Sequence, residues 1–394
     1  MDRTVRLLLR PTPGQAAGLA ETARLFTSAF NAVSAYGWEH REKNGVTLHH
    51  RTYLSLKAQY PTLVSDLHIQ ARVKATEALR SVMALAKKGR KVSQPRAEFC
   101  PPRYNVHTFK LAWETCSVRL STTTGRMTIP FKVPDYAQKY AGGKVATADL
   151  IFRNGHWWLH VVVSIPAPEV APVEAVLGVD IGLARPAVTS DAGFLGNRRW
   201  REVEARYFRL RRALQSKGSK SAKRHLRKLG GRQRRFRRNC DHMLSKQIIQ
   251  ATPLGGTVVL ENLRGIRSRV RVRHGAQARR IHGWSFSQLR SFIVYKAEER
   301  GCTVAGVDPR HTSQQCSRCG HVARNNRRSR ALFGCRSCGF TLHADLNGAR
   351  NIAAKYLASL ATREAGGLPV NEPTVGELCS HSFTHKLPAL AGSG

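Results

Sequence analysis

Four of the nine cysteines come as two tight pairs, Cys316-x2-Cys319 and Cys335-x2-Cys338, with fifteen residues between them. At that spacing two knuckles close a tetrahedral four-thiolate zinc site. Four protein ligands leave no open position on the metal, so this zinc would be structural. Three carboxylates stand in a different setting. Asp180 ends the apolar run "AVLGVD", Glu261 ends "TVVLE", and Asp345 opens "ADLNGARNIAAKY" just behind the cysteines. Each has an ordinary reading when taken alone: an Asp at a helix start is commonly an N-cap, and a Glu at a strand end can be solvated. As a set they suggest chemistry. Converging carboxylates bind divalent cations, and two Mg2+ about 4 Å apart activate water and stabilise the leaving oxygen in phosphodiester cleavage.

The elements that would position these groups are readable from periodicity. "TVRLLLRPTPGQ" alternates and then breaks at Pro and Gly, as a short strand does. Leu19, Ala23, Phe26, Phe30 and Val33 form one helical stripe, and a second helix is predicted over 66–88. "SVRLSTTTGRMTIPF" and "ADLIFRNGHWWLHVVVSI" read as hairpins, the latter with Asn154-Gly155 suited to a type I′ turn. The N-terminal strand is expected to rejoin these strands, because alone it would leave an unpaired edge. Pro166, Pro168 and Pro172 mark a linker. Beyond it, "AVLGVDIGLARPAVTSDAGFLG" supplies three short strands. A long basic helical stretch, the strand "TVVLEN", a helix with Phe286, Leu289, Phe292 and Ile293, the strand "CTVAGV" and a closing helix follow. Strands first, then alternating strands and helices, predict a mixed α/β sheet.

Composition narrows the partner. Lys and Arg number 65 against 25 Asp and Glu, a formal charge of +40. Such a surface does not suit a free-standing metabolic enzyme and calls for a polyanion, most simply nucleic acid. A membrane is the rival, but no apolar run reaches spanning length. No N-terminal charged start with an apolar core is present, and the other cysteines show no disulfide rhythm, so a cytoplasmic, nucleoid-associated protein is expected. Residues 206–238 hold fifteen Lys or Arg and no acid. A helical hairpin this dense in one sign needs bound phosphates. Its candidates for nucleic-acid contact are Arg211, Arg212, Lys223, Arg224, Arg227 and Lys228, then Arg234, Arg235, Arg237 and Arg238. Tyr207, Phe208 and Phe236 could stack bases or pack internally. A second basic run, "RGIRSRVRVRHGAQARR", follows Glu261.

The order Asp, Glu, Asp after a three-strand start resembles the RNase H-like nuclease core of the RuvC type; integrases of the Asp-Asp-Glu order place their Glu last. "GVDIGLARPAVTSD", "VVLENLRGI", "DPRHTSQQCSRCG", "CRSCGF" and "HADLNGARNIA" resemble in succession the signatures of the TnpB family, insertion-sequence-encoded RNA-guided DNA nucleases related to small type V CRISPR effectors. The resemblance covers about 175–360; the N-terminal half matches in layout only. It implies a wedge-like β domain over 1–15 and 99–170, interrupted by a helical recognition lobe over 16–98. It further implies a RuvC-like nuclease domain over 171–309 and 339–365, a zinc ribbon over 310–338 and a C-terminal tail over 366–394. By the same resemblance Asp180, Glu261 and Asp345 are the catalytic triad, holding two Mg2+, and one Zn2+ sits on the cysteines. A guide RNA and double-stranded target DNA are the partners, with no membrane, and the chain acts as a monomer. Gln70 lies where relatives read the motif flanking the target; an exposed polar residue is the plain reading. Many relatives carry an acid two before the last Asp, where this chain has His343. Alternatives are a nuclease-inactive RNA-guided repressor, disfavoured by the intact triad, and an unguided RuvC-like nuclease, which would not need the N-terminal half. A small CRISPR effector would share all the chemistry.

Overall fold

The computed structural model describes residues 1–182, 185–263 and 285–364. The basic run after Glu261 and the 366–394 tail therefore lie outside the described residues. The chain divides into two compact units, Met1–Pro166 and Ala167–Gly394.

The first unit is a seven-stranded antiparallel sheet with three helices. Strands β1 (Asp2–Leu9), β2 (Arg103–Tyr104), β3 (Phe109–Ala112), β4 (Ser117–Thr122), β5 (Gly125–Lys132), β6 (Lys144–Arg153) and β7 (His156–Ser164) lie in the order β2-β6-β7-β1-β5-β4-β3. Alternation sets the faces of β7, where Trp157, Leu159, Val161 and Val163 are all buried. Asn154 and Gly155 both take positive φ (53° and 78°), which closes β6 on β7 as a type I′ turn requires. β1 pairs with β7 along its length and with β5 at Leu8 and Leu9, while on the way the Arg6 N–H donates to the Tyr136 hydroxyl.

Helix α1 (Pro13–Glu39) starts with a capping box: Thr12 accepts from the Gln15 backbone and Gln15 reaches back to Thr12. Its buried stripe joins that of α3 (Ser65–Lys87) and the sheet in one hydrophobic core. Helices and sheet of this unit thus share a core instead of holding one each. Between them lies α2 (Gly45–Gln59), capped by Asn44. Sequence periodicity passed over it because Leu48, Thr52 and Leu56 face inward while Val46 and Leu54 face solvent, which blurs the 3.6-residue signal.

The second unit is built on a five-stranded sheet, β8 (Val176–Asp180), β9 (Ala187–Thr189), β10 (Phe194–Leu195), β11 (Thr257–Glu261) and β12 (Thr303–Val307), ordered β10-β9-β8-β11-β12. β8, β11 and β12 run parallel; β9 and β10 turn back antiparallel on the other side of β8. Helices α4 (Arg199–Lys217) and α5 (Lys220–Ala251) form a hairpin between β10 and β11, and α6 (Phe286–Glu299) links β11 to β12. One sheet face presents Leu177, Val179, Val258 and Leu260 to Leu244, Ile248, Leu289 and Ile293 of α5 and α6. On the other face Val259 and Val307 meet Ile352 of α7 (Ala344–Glu364). Among the described residues no helix is long and apolar enough to cross a membrane.

The approach of α7 to β8 is unusually close. A Cβ on Gly178 would lie 2.3 Å from the Ala349 carbonyl oxygen and 2.7 Å from the Ala353 nitrogen, both backbone atoms that cannot step aside. Gly178→Ala is therefore expected to cost about 1–3 kcal/mol. Gly230→Ala on α5 meets nothing within 4 Å and should gain about 0.5–1 kcal/mol by helix propensity. Opposite shifts of the thermal midpoint would bear this out; equal shifts would contradict the close approach.

Candidate metal and nucleic-acid site

Strand alternation determines which groups can meet. Leu260 of β11 is registered against Val179 of β8, and both face α5 and α6. The next residue of each strand, Glu261 and Asp180, must then point to the opposite face, toward α7. Both sit at the carboxyl ends of adjacent parallel strands, beside the point where the sheet changes to antiparallel, where open α/β sheets place their ligands. Asp345 is the second residue of α7, inside its first turn, and so is not the N-cap that an isolated Asp suggests. Gly348, one turn on, brings the helix against β8: a Cβ there would lie 3.0 Å from Asp180 Oδ2.

Asp180 lies in the field of the other two acids. Asp180 is pushed up from 3.8 to about 7, first by burial and then by the charges of Glu261 and Asp345, with Arg327 opposing. Glu261 is also raised by burial, partly offset by the Thr312 hydroxyl, which donates to its Oε1 at 2.5 Å. Asp345 Oδ1 accepts from Arg327 Nη2 at 3.1 Å. Arg327 and Thr312 were not singled out from the sequence; both lie in or before the cysteine loop, and only the fold brings them to the acids. Burying neighbouring carboxylates without a counter-charge is costly, and Arg327 is the one cation that acts on Asp180 here. Hard oxygen donors of this kind suit Mg2+. The set is more open than the cysteine set, which alone among the described residues brings three or more ligand atoms within 4.8 Å.

Those thiols do fit a metal. Cys316 and Cys338 Sγ are 3.8 Å apart, Cys319 and Cys335 Sγ 3.6 Å. A tetrahedral zinc with Zn–S bonds of about 2.3 Å has S–S edges of about 3.8 Å. Each pair ends in a glycine of positive φ, Gly320 (77°) and Gly339 (69°), and Cys316 and Cys335 bond back to the carbonyls of His321 and Phe340. β13 (Leu332–Gly334) and β14 (Thr341–His343) close the loop. Buried Asn326 holds the loop internally, donating to the Gln314 and His321 carbonyls and accepting from Arg336 N. Buried Asn347 and Asn351 on α7 then fasten the loop's root, donating to the carbonyls of Gln315 and of Thr312 and Gln315. The i,i+4 asparagines in "LNGARN" were the available signal for this clamp.

The basic hairpin is exposed along α4 and α5. Arg211, Arg212, Lys223, Arg224, Arg227, Lys228, Arg234, Arg235 and Arg238 all face solvent. Arg237 is different: it grips Glu204 with two bonds of 2.8 and 2.7 Å, and Gln233 joins the same carboxylate. In the protein alone the Arg237 guanidinium is thus paired with Glu204, which lies just ahead of the acid-free stretch. Arg211 Nη1 donates to Gln233 Oε1. Tyr207 and Phe236 pack on each other across the hairpin with ring centroids 5.9 Å apart, while Phe208 is exposed. Gln70 is half-buried on α3, in the other unit.

The raised Asp180 gives a pH-dependent expectation. The folded state holds this proton more tightly than the unfolded chain. Its contribution is favourable below about pH 4 and is lost as pH rises toward 7. Asp180→Asn should therefore raise the metal-free thermal midpoint at pH 8, by roughly 2–4 °C per kcal/mol relieved, with little change at pH 4. Equal effects at both pH values would contradict the shared field. Cys335→Ser should reduce bound zinc, read by elemental analysis, and lower the midpoint; unchanged stability would remove the ribbon's structural role.

A family model described as "Cas12f1-like, TNB domain" matches residues 286–352, which span α6, β12, the cysteine loop and the start of α7. The CRISPR-associated endodeoxyribonuclease Cas12f1 of Sulfoacidibacillus thermotolerans is 31% identical over 221 residues, covering 51% of this chain and 50% of that protein. A TnpB-like protein of Methanocaldococcus jannaschii is 32% identical over 129 residues, covering 32% of this chain and 46% of that protein. This chain thus spans about half the length of these curated relatives. The cryo-EM structure of a Cas12f1–sgRNA–target DNA complex shares the fold, with a TM-score of 0.61, 14% identity, and 85% of this chain and 81% of that chain covered. The chain is thus similar to TnpB-like and Cas12f1 proteins, and its residues 286–352 match the Cas12f1-like TNB domain.

Proposed function

We propose that this protein is an RNA-guided, Mg2+-dependent DNA endonuclease that cleaves double-stranded DNA beside a short flanking motif. The observation that carries the reading is the meeting of Asp180, Glu261 and Asp345 at one corner of the sheet, in a chain of charge +40. In this reading the three carboxylates hold the divalent cations. Bound there, the metal supplies Lewis acidity that activates water and stabilises the leaving oxygen. Thr312 orients Glu261 through its hydroxyl. Arg327 balances the Asp345 charge, and its guanidinium would suit bidentate pairing with two oxygens of a substrate phosphate. The cysteines hold one structural zinc, which fixes where Arg327 and Thr312 stand.

The exposed bases of α4 and α5 would track a guide–target heteroduplex through its backbone, leaving sequence to base pairing. The Met1–Pro166 unit would serve as wedge and recognition lobe, with Gln70 among the groups reading the flanking motif. The protein would act as a monomer with its guide RNA.

Sequencing the RNA that co-purifies with the protein, expressed with its native flanking DNA, identifies the guide and hence the target. Cleavage of that target should require RNA and Mg2+. Asp180→Ala, Glu261→Ala and Asp345→Ala should each lower it at least about 10³-fold, the loss of about 4 kcal/mol of charge stabilisation, while RNA binding persists. Cutting without RNA would favour the unguided nuclease. Intact wild-type binding with no nicking would favour the repressor.

A further inference from the structure

Beside the three acids lies an aromatic side chain that the core does not use. Phe194 is on β10, the edge strand of the second unit's sheet, and is 43% exposed. Its neighbour Leu195 faces the opposite way and packs against the α5–α6 core. Phe194 is therefore turned to the α7 face. The register carries it to the site: Phe194 opposes Val188, and Val188 opposes Asp180. Directly opposed residues project to the same side of a sheet, and two strand spacings put the Phe194 and Asp180 backbones about 10 Å apart.

Two charged or polar groups brace the ring. The Arg185 guanidinium carbon lies 5.1 Å from its centroid, and the His343 ring meets it at 5.0 Å with an interplanar angle of 87°. His343 ends β14, immediately before the helix that bears Asp345. The aromatic is thus tied both to the sheet edge and to the base of α7, and it carries a cation at its rim.

We propose that Phe194, braced by His343 and Arg185, is a stacking platform for one unpaired nucleobase of the strand being cleaved. The inference rests on the nuclease reading and deepens it by specifying the substrate's conformation. A base within a duplex is already stacked on both faces, so only an unpaired strand can use the ring. At the 3.4 Å rise of one strand, about 10 Å places that base within about three nucleotides of the scissile phosphate. Arg185 would hold an adjacent phosphate while Phe194 holds the base, and the two together would set the register of the strand over the acids. Base–aromatic stacking is sequence-tolerant because every base has a π-face. That tolerance suits an enzyme whose sequence choice is made elsewhere.

The test uses the full chain with its guide RNA, Ca2+ in place of Mg2+ to withhold cleavage, and target DNA with 2-aminopurine at successive positions around the cut. Wild type should change the fluorescence at one position. Phe194→Leu, which keeps an apolar residue, should abolish that change, and Phe194→Trp should restore it. With Mg2+, Phe194→Leu should raise KM about 5- to 150-fold, the equivalent of about 1–3 kcal/mol of stacking, with kcat less affected. No fluorescent change at any position in wild type, or an unchanged signal and KM in Phe194→Leu, overturns the platform. Asp180→Ala separates the two readings, because it should stop cleavage and leave the stacking signal intact. A stacking signal that depends on Phe194 in a protein that never cleaves would retain the platform and reject the nuclease.

Discussion

The candidate site is arranged around a cost: three carboxylates are brought together at a partly buried corner, opposed by Arg327 at Asp180 and by Lys355 at Glu261. The charges of Glu261 and Asp345 add to burial in raising the proton affinity of Asp180. A fold driven by burial alone would place apolar residues at the ends of β8 and β11. Retaining Asp180 and Glu261 there, with two close glycine contacts pressing α7 onto the strands, costs stability that the proposed cation binding would offset.

The cysteine loop is best understood as the part that makes this corner definite. A short loop with few apolar residues cannot fix a guanidinium to within bonding distance of a chosen carboxylate. Four thiolates on one metal, as proposed for Cys316, Cys319, Cys335 and Cys338, would do so, because coordination replaces the missing core. Asn326 then sets the loop's interior, Asn347 and Asn351 set its root on α7, and Thr312 and Arg327 emerge on either side of the acids. Two of the three acids are thereby held by side chains whose positions depend on the ribbon. The proximity of metal knot and carboxylate along the chain thus has a mechanical reason.

The sequence disclosed what depends on local pattern. Strands ending in acids, the two cysteine pairs, the Asn154-Gly155 hairpin and the long basic helices follow from alternation, spacing and turn chemistry. What it did not disclose depends on distant partners. Arg327 is one of several arginines in a basic loop, and nothing local sets it apart; the fold alone brings it to Asp345. Glu204 lies just before the acid-free stretch, so its grip on Arg237 is invisible until α4 folds back along α5. Helix α2 was passed over because its solvent face carries Val46 and Leu54. Phe194 carries no local mark either, and only the register across β9 relates it to Asp180.

The positive charge is spread along exposed helical faces and is largely unmatched by acids, whereas the acids that matter are withdrawn into one corner. The outer field would gather a polyanion, and the inner one would hold cations against it. The central claim is that the corner is a cation site. The most direct measurement is a crystal structure in Mn2+ with anomalous data. The account predicts an anomalous peak among Asp180, Glu261 and Asp345, with Arg327 drawn away from Asp345. Manganese bound only elsewhere, with Arg327 still seated on Asp345, would contradict it.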